Sequence, residues 1–587
     1  MRTSLLLLPA LLTACGDKDP DPISVDDTGE SVIVIETGLW IDTADTEETG
    51  SPDTADTGGD TGGDTGDPGP EDPLFESLSL YPDGLVVHPG ATFELRLVGT
   101  TDGSEDVELK FIEFASSDES LATVDSDGIV TALAAGDVSL TAGVGELSTT
   151  ASLTIDDSGT IRVRVLNAET GAPMASAKVK VEEGEAARTD TDGWATLTVE
   201  TGEPLSVHAY LSGYMAVTVF QTVSRELTVP LQDADLFSDT DTHISGSVDF
   251  SGVDSGGGAD MTLGLALPAL SMGPLLLDPD ELMSPDRELS IFGIDVSLPE
   301  NLYLQTHAET YQVPARPGPA AVWTIAGPMP IGEVTSSLDG ASDAFALIDA
   351  HIDEMSWGWS DAGDATLGEG LDGPLAPAIA MSASATITTG ALPLGFSGDE
   401  MALVMVGETL DDIGAVALGL GTGLGEVELH VADTTLGGDP LAMAIAQVGG
   451  LGSGGAVSAT MVELEGTAAT LPDFQSVPEM VSFDPATHDF ELSTDTRSDI
   501  VRVLMTGADR SMRMIYMNGG SQSGHLPDYG GSMGYGQVTW EVLGFETVSG
   551  TFEDFVQAGS LSAAQIAPVS TTSARVTRTI TASGSGG

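Results

Sequence analysis

Cysteine is almost missing from this chain: Cys15 is the only one in 587 residues. Beyond it there is no thiol pair for a disulfide, no thiolate set for zinc and no cysteine nucleophile, so stability must come from packed cores. Basic residues are also scarce. Eighteen Lys and Arg stand against 92 Asp and Glu, a net charge of −74. A surface so acidic repels phosphate backbones and anionic lipid, which argues against nucleic acid as a partner. Aromatic residues make up 5% of the chain, and no later run reaches the roughly 18 uninterrupted apolar residues of a transmembrane helix.

What remains is rich in turns and strand formers. Seventy-two glycines, with many Thr, Val and Asp residues, point to short strands joined by tight turns. The expected fold is mostly β: tandem β-sandwich domains followed by a large β-rich C-terminal domain, with a disordered N-terminal tether. The length allows several domains.

Residues 1–14 read as a signal peptide. Arg2 precedes an apolar run, Leu5 to Leu12, interrupted by Pro9, and an apolar core of about 7–15 residues exports a chain without spanning a bilayer. Leu12-Thr13-Ala14-Cys15 resembles the lipobox of bacterial lipoproteins. That resemblance implies cleavage before Cys15 and acylation of its thiol and new amino terminus. Two or more acyl chains, each contributing ~0.8 kcal/mol per buried CH₂, hold a protein stably at a membrane. Gly16 stands where inner-membrane lipoproteins commonly carry Asp, which favours the outer membrane or cell surface of the bacterial envelope, although sorting rules differ among bacteria and the choice of membrane stays open.

Residues 15–75 form an acidic linker of Asp, Thr, Gly and Pro. Asp42-Thr43-Ala44-Asp45-Thr46 recurs as Asp53-Thr54-Ala55-Asp56-Thr57 and decays into Gly-Gly-Asp-Thr copies. Such composition cannot bury enough apolar surface to offset its ordering entropy. Fully stretched, the linker would reach on the order of 200 Å. Its Asp spacing does not match an EF-hand loop. An apolar island, Val32-Ile33-Val34-Ile35 and then Leu39-Trp40-Ile41, has the character of a docking strand or of a patch without function.

From residue 76 to 156 apolar residues alternate, as in Phe93, Leu95 and Leu97, with turn residues between the runs. Phe114-Ala115-Ser116-Ser117-Asp118, Ala122-Thr123-Val124-Asp125, Gly128-Ile129-Val130-Thr131-Ala132 and the later Gly136 resemble the bacterial immunoglobulin-like group 2 domain. Phe114 stands where that family usually has Trp. Asp127-Gly128 has the chemistry of a hairpin turn, a simpler account of Asp125 and Asp127 than metal ligation.

Residues 159–232 carry a second alternating pattern. Glu169-Thr170-Gly171-Ala172-Pro173, Ala177-Lys178-Val179, Asp190-Thr191-Asp192-Gly193-Trp194 and Gly213-Tyr214 resemble the carboxypeptidase regulatory-like domain. The resemblance implies a seven-stranded sandwich similar to transthyretin and no peptidase activity.

Residues 240–580 are expected to form a large β-rich domain, or two. Strand-like runs include Tyr303 to Gln305, Glu426 to Val431, Val457 to Leu464, Ile500 to Thr506 and Gly536 to Phe545. Ala341, Ala344, Phe345, Ile348, Ile352 and Met355 fall at helical spacing. Five groups could carry chemistry. Gly419 to Gly425 misses G-x-G-x-x-G because Leu424 takes the final Gly position. Ser521 and Ser523 near His525 miss the nucleophile elbow. His351 and Glu354 lack a third metal ligand. Arg502, Arg510 and Arg513 are explained by internal ion pairs, with anion capture as the other reading. Trp357 and Trp359 alternate on one strand face and are the candidate ligand-binding residues, able to stack on a sugar ring, with core packing as the alternative.

No catalytic residues, metal site or cofactor follow from these patterns. The chain is read as a non-enzymatic, lipid-anchored envelope protein, tied to the membrane through Cys15, that displays β-sandwich modules for adhesion or for binding a surface glycan or protein. The alternative is a surface hydrolase with its active site in residues 240–575.

Overall fold

The computed structural model describes residues 75–581 apart from 102–111, 183, 200–201, 235–241, 255, 258–259, 271–285, 292–293, 306–307, 338–340, 397–400, 411–412, 485–486, 508–510, 521 and 527–536. Cys15, the acidic linker and its apolar island lie outside the described residues. The fold is mostly β. Glu71–Gly587 form one compact unit, and no helix among the described residues is long and apolar enough to cross a membrane.

Period-two alternation builds the first sandwich. In Gly136–Val144 the side chains of Val138, Leu140 and Ala142 are buried while Asp137 and Ser139 face solvent. Leu147–Ile155 lies beside it and buries Ala151, Leu153 and Ile155. One sheet runs in the order Leu85–Val87, Leu147–Ile155, Gly136–Val144, Glu113–Ser116; the other runs Thr92–Glu94, Ile129–Ala132, Ala122–Val124. The Asp125 carboxylate accepts from the backbone N–H groups of Asp127 at 3.0 Å and Ile129 at 2.9 Å, so it closes the turn. Gly128 sits at φ +81°, where a Cβ would lie 3.1 Å from the Phe114 ring and 3.2 Å from the Leu95 carbonyl.

The second sandwich sets Thr160–Asn167 between Trp194–Thr198 and Glu226–Leu231. Facing it are Ala187–Arg188, Lys178–Val181, Leu205–Tyr210 and Ala216–Thr222. That second sheet does not stop at Thr222. Ala216–Thr222 is buried on both faces at all but one position, the pattern of a strand with neighbours on each side and cover on each face. Its second neighbour is Met512–Asn518, paired parallel from Ala216 opposite Arg513 to Phe220 opposite Met517.

From there one sheet of 15 strands continues through Ile500–Gly507, Gln537–Thr547 and Ser570–Thr581, and on to Ala468–Thr470. The core follows the sheet. Val217, Val219, Leu227 and Val229 of the second sandwich pack in the same cluster as Tyr516, Phe545, Phe552 and Val556.

A further sheet, Leu302–Leu304, Asp260–Pro268, Gly318–Pro330, Ser356–Ala365 and Ile379–Ala380, covers the far part of the long one. Leu263, Leu265, Trp323, Ile325 and Trp357 meet Leu403, Met405, Leu418, Leu420 and Met443 in a second large core. The expected helix is present as Ala341–Ala350, followed by a 3₁₀ turn, Ile352–Glu354. Phe345, Leu347 and Ile348 are its buried core residues.

Candidate functional site

Trp357 is wholly buried at 0% exposure, and its indole N–H donates to the Ala417 carbonyl at 2.9 Å. Trp359 shares its face and packs, partly buried, against the same core. The face on which the pair alternates is therefore the one turned to the core, and Trp357 has no ring surface to offer a sugar. Burying an indole is favourable only where its N–H finds an acceptor, and Ala417 supplies one.

The other groups also spend their polar atoms internally. His351 lies 3.0 Å from the Glu333 carboxylate. His525 lies 3.1 Å from Asp489. Hydrogen bonds from Thr487 and His525 hold the Asp489 carboxyl below its ordinary range. Ser521 lies outside the described residues. Arg502, 5% exposed, donates to Glu541 at 2.6 Å, and Arg513 is buried in the same sheet; Arg510 lies outside the described residues. Gly419 and Gly421 belong to the strand Gly414–Gly423. A Cβ on Gly419 would come within 2.5 Å of the His430 carbonyl, so close strand approach accounts for glycine there.

A polar cleft forms at residues with no sequence motif. Thr310–Pro314, His243–Ser247 and Gly370–Asp372 make a three-stranded sheet in which Ser245 stands opposite both Gln312 and Asp372. These three therefore share one face, while Ile244, Tyr311 and Val313 are buried in a core on the other. The hairpin Asp286–Ile291 and Ile294–Pro299 brings Arg287 and Glu300 to the polar face.

Arg287 Nη1 donates to the Thr310 carbonyl at 2.9 Å, and Nη2 donates to the Leu302 carbonyl. These bonds fix the guanidinium plane. Burial pushes the Arg287 pKa down from its ordinary value, opposed by the Glu300 charge. Ser245, Arg287, Glu300, Thr310, Gln312 and Asp372 line a cavity of about 340 Å³ that Gly246 and Tyr311 also border. Its residues lie far apart in the chain, and only strand register gathers them.

The first sandwich is also identifiable from its sequence. Residues 74–155 match the family model of the bacterial Ig-like domain (group 2). No curated protein matches the chain. Among solved structures, the Bacillus anthracis TIE protein is 9% identical, covering 68% of this chain and 74% of that one, with a TM-score of 0.13. Domains 5–6 of the S-layer protein SbsC are 11% identical over 43% of this chain and 91% of theirs, with a TM-score of 0.14. BcpA, the major pilin subunit of Bacillus cereus, is 8% identical over 54% of this chain and 99% of its own, with a TM-score of 0.12. TM-scores this low describe no common arrangement of elements.

The Ig-like domain is fastened to the rest of the unit by named bonds. Arg96 donates to Asp499 at 2.8 Å and to the Thr547 carbonyl at 2.7 Å. Asp554 accepts from the Asp83 N–H at 3.1 Å while its other oxygen accepts from the Thr551 N–H at 2.8 Å, closing the capping box of the helix Phe552–Ala558. Gln557 donates to the Gly84 carbonyl at 2.6 Å.

One residue before Asp554, partly buried Glu553 accepts from the Thr222 hydroxyl at 2.6 Å and the Val223 N–H at 3.0 Å. Burial pushes the Glu553 pKa up, against these hydrogen bonds and the charge of Arg225. Arg225, itself 2% exposed, donates to the carbonyls of Val223 and Glu203 at 3.0 Å each, and its backbone N–H donates to Val86 of the Ig-like domain at 2.7 Å.

Proposed function

We propose that the chain is a lipid-anchored protein of the bacterial cell envelope, held through Cys15 at the outer membrane or cell surface. It displays β-sandwich modules for adhesion or ligand binding and has no catalytic role. The observation that carries this reading is the joint around Arg96, Arg225 and Glu553, which binds the Ig-like domain, the second sandwich and the C-terminal helix into one body. An acylated Cys15 followed by the acidic linker would hold that body away from the membrane as a unit.

The seven strands in two sheets between Thr160 and Leu231 support reading residues 159–232 as a carboxypeptidase regulatory-like domain. In that role it is a spacer, with its second sheet prolonged by the region that follows.

The test is fractionation of cells producing the wild-type chain and Cys15→Ser. The wild type should sediment with membranes and incorporate labelled palmitate, while the variant should appear in the soluble fraction unlabelled. Retention of the variant in membranes overturns the lipid anchor.

A further inference from the structure

The cleft beside Asp372 has the chemistry of a ligand site. Arg287 brings donors only, Glu300 and Asp372 bring acceptors only when ionised, and Gln312, Ser245 and Thr310 bring both. All six line one cavity of about 340 Å³, near the lower end of the roughly 300–1,000 Å³ typical of small-molecule sites. We propose that this cleft binds a neutral carbohydrate of one or two sugar rings.

Charge and polarity select that class. One fixed cation stands against two carboxylates, so a ligand of strong negative charge meets net repulsion, and a bare divalent cation meets the guanidinium of Arg287. Ile244 and Val313 turn into the core behind it, and Tyr311, which borders the cavity, is itself buried in that core, so polar groups dominate the lining, which suits neither a lipid nor an aromatic ring. Sugar hydroxyls each donate and accept, and neighbouring hydroxyls can bridge the two oxygens of a carboxylate or two N–H groups of a guanidinium.

Arg287 is already oriented by the Thr310 and Leu302 carbonyls. It therefore loses little side-chain freedom when a ligand arrives. Ser245, Gln312 and Asp372 stand on three paired strands, which holds their spacing to that of the sheet. Such a site is weak alone and gains by multiplicity on a membrane bearing many copies.

The proposal deepens the display reading, and rests on it for the sugar being part of a surface glycan. It is tested with the full chain, by saturation-transfer NMR and calorimetry against a panel of neutral mono- and disaccharides, with amino acids and Ca²⁺ as competing probes. The variants are Asp372→Asn and Gln312→Ala, with Trp359→Ala as a control outside the cleft lining, and thermal melts confirm that each folds.

At least one saccharide should bind, with affinity reduced about tenfold or more in both cleft variants and unchanged in Trp359→Ala. The proposal is overturned if no saccharide binds at about 10 mM, if binding survives in both cleft variants, or if amino acids or Ca²⁺ occupy the site in its place. The palmitate and fractionation readouts do not depend on the cleft, so failure of the anchor and failure of the sugar site are told apart.

Discussion

Arg96 and Asp499 meet at 2.8 Å although 403 residues of chain separate them. Asp499 also accepts from the Thr547 N–H at 2.8 Å and hydroxyl at 2.9 Å, so one carboxylate joins the Ig-like domain to two strand ends of the long sheet. With side chains 31% and 27% exposed, the pair is partly screened. Arg96→Ala should cost about 1 kcal/mol in denaturant unfolding. It should also speed protease cleavage near Asp156 and Asp157, where the Ig-like domain leads into the second sandwich. Unchanged stability together with unchanged cleavage would show that the pair holds nothing.

Glu553 is the deeper fastening. Removing it leaves the Thr222 hydroxyl and Val223 N–H without their acceptor and takes away a negative charge that acts on buried Arg225. Glu553→Ala should destabilise by about 1–3 kcal/mol, while Glu553→Gln, which keeps one acceptor and the volume, should cost less. A loss below about 1 kcal/mol for the Ala variant would contradict this account of the joint.

Trp357→Ala empties a site in the core between the two sheets and orphans the Ala417 carbonyl, so about 3–5 kcal/mol of stability should disappear. Trp359→Ala, at a partly buried position, should cost less. Equal losses would mean that the two rings are equivalent in the core, contrary to their burial.

His208 gives a pH dependence with a definite sign. It is fully buried, lies 3.1 Å from the Thr218 hydroxyl, and is held well below its ordinary 6.5 by burial first and then by the charges of Arg513 and Lys180. Because the folded pKa is depressed, the unfolded chain takes up the proton first as pH falls below 6.5. The stability held by the neutral ring is present above 6.5 and is lost as pH falls through the window below it. The melting temperature should therefore drop between about pH 7.5 and about 5.5 by more in the wild type than in His208→Gln. Parallel slopes for the two proteins would exclude His208 as the cause.

Elements were legible in the sequence where a pattern is local. The strand expected at Glu426–Val431 has those bounds, the run from Val457 ends one residue short at Glu463, and the helix begins at Ala341 as its spacing predicts. Pairing was not legible, because a strand's neighbour is chosen by shape and register across hundreds of residues. The apolar run of Ala216–Thr222 announces a covered strand but does not name Met512–Asn518 as its partner.

The two tryptophans show the same limit from another side. Alternation assigns Trp357 and Trp359 to one face, and burial decides which face it is. The cleft was silent for a related reason: Ser245, Gln312 and Asp372 become neighbours only through register, and no spacing in the chain marks them.

The parallel pairing of Ala216–Thr222 with Met512–Asn518 also sets the order in which the molecule can be completed. During synthesis the second sandwich emerges long before the strand that seals it. Until that strand arrives, a strand buried on both faces offers an open, apolar edge to any other chain. Contacts so distant in sequence form slowly. The acidic surface, with its net charge of −74, keeps like chains apart during that wait. A chain cut short anywhere before Met512 keeps the edge exposed, so a C-terminal truncation damages a domain that ended some 280 residues earlier.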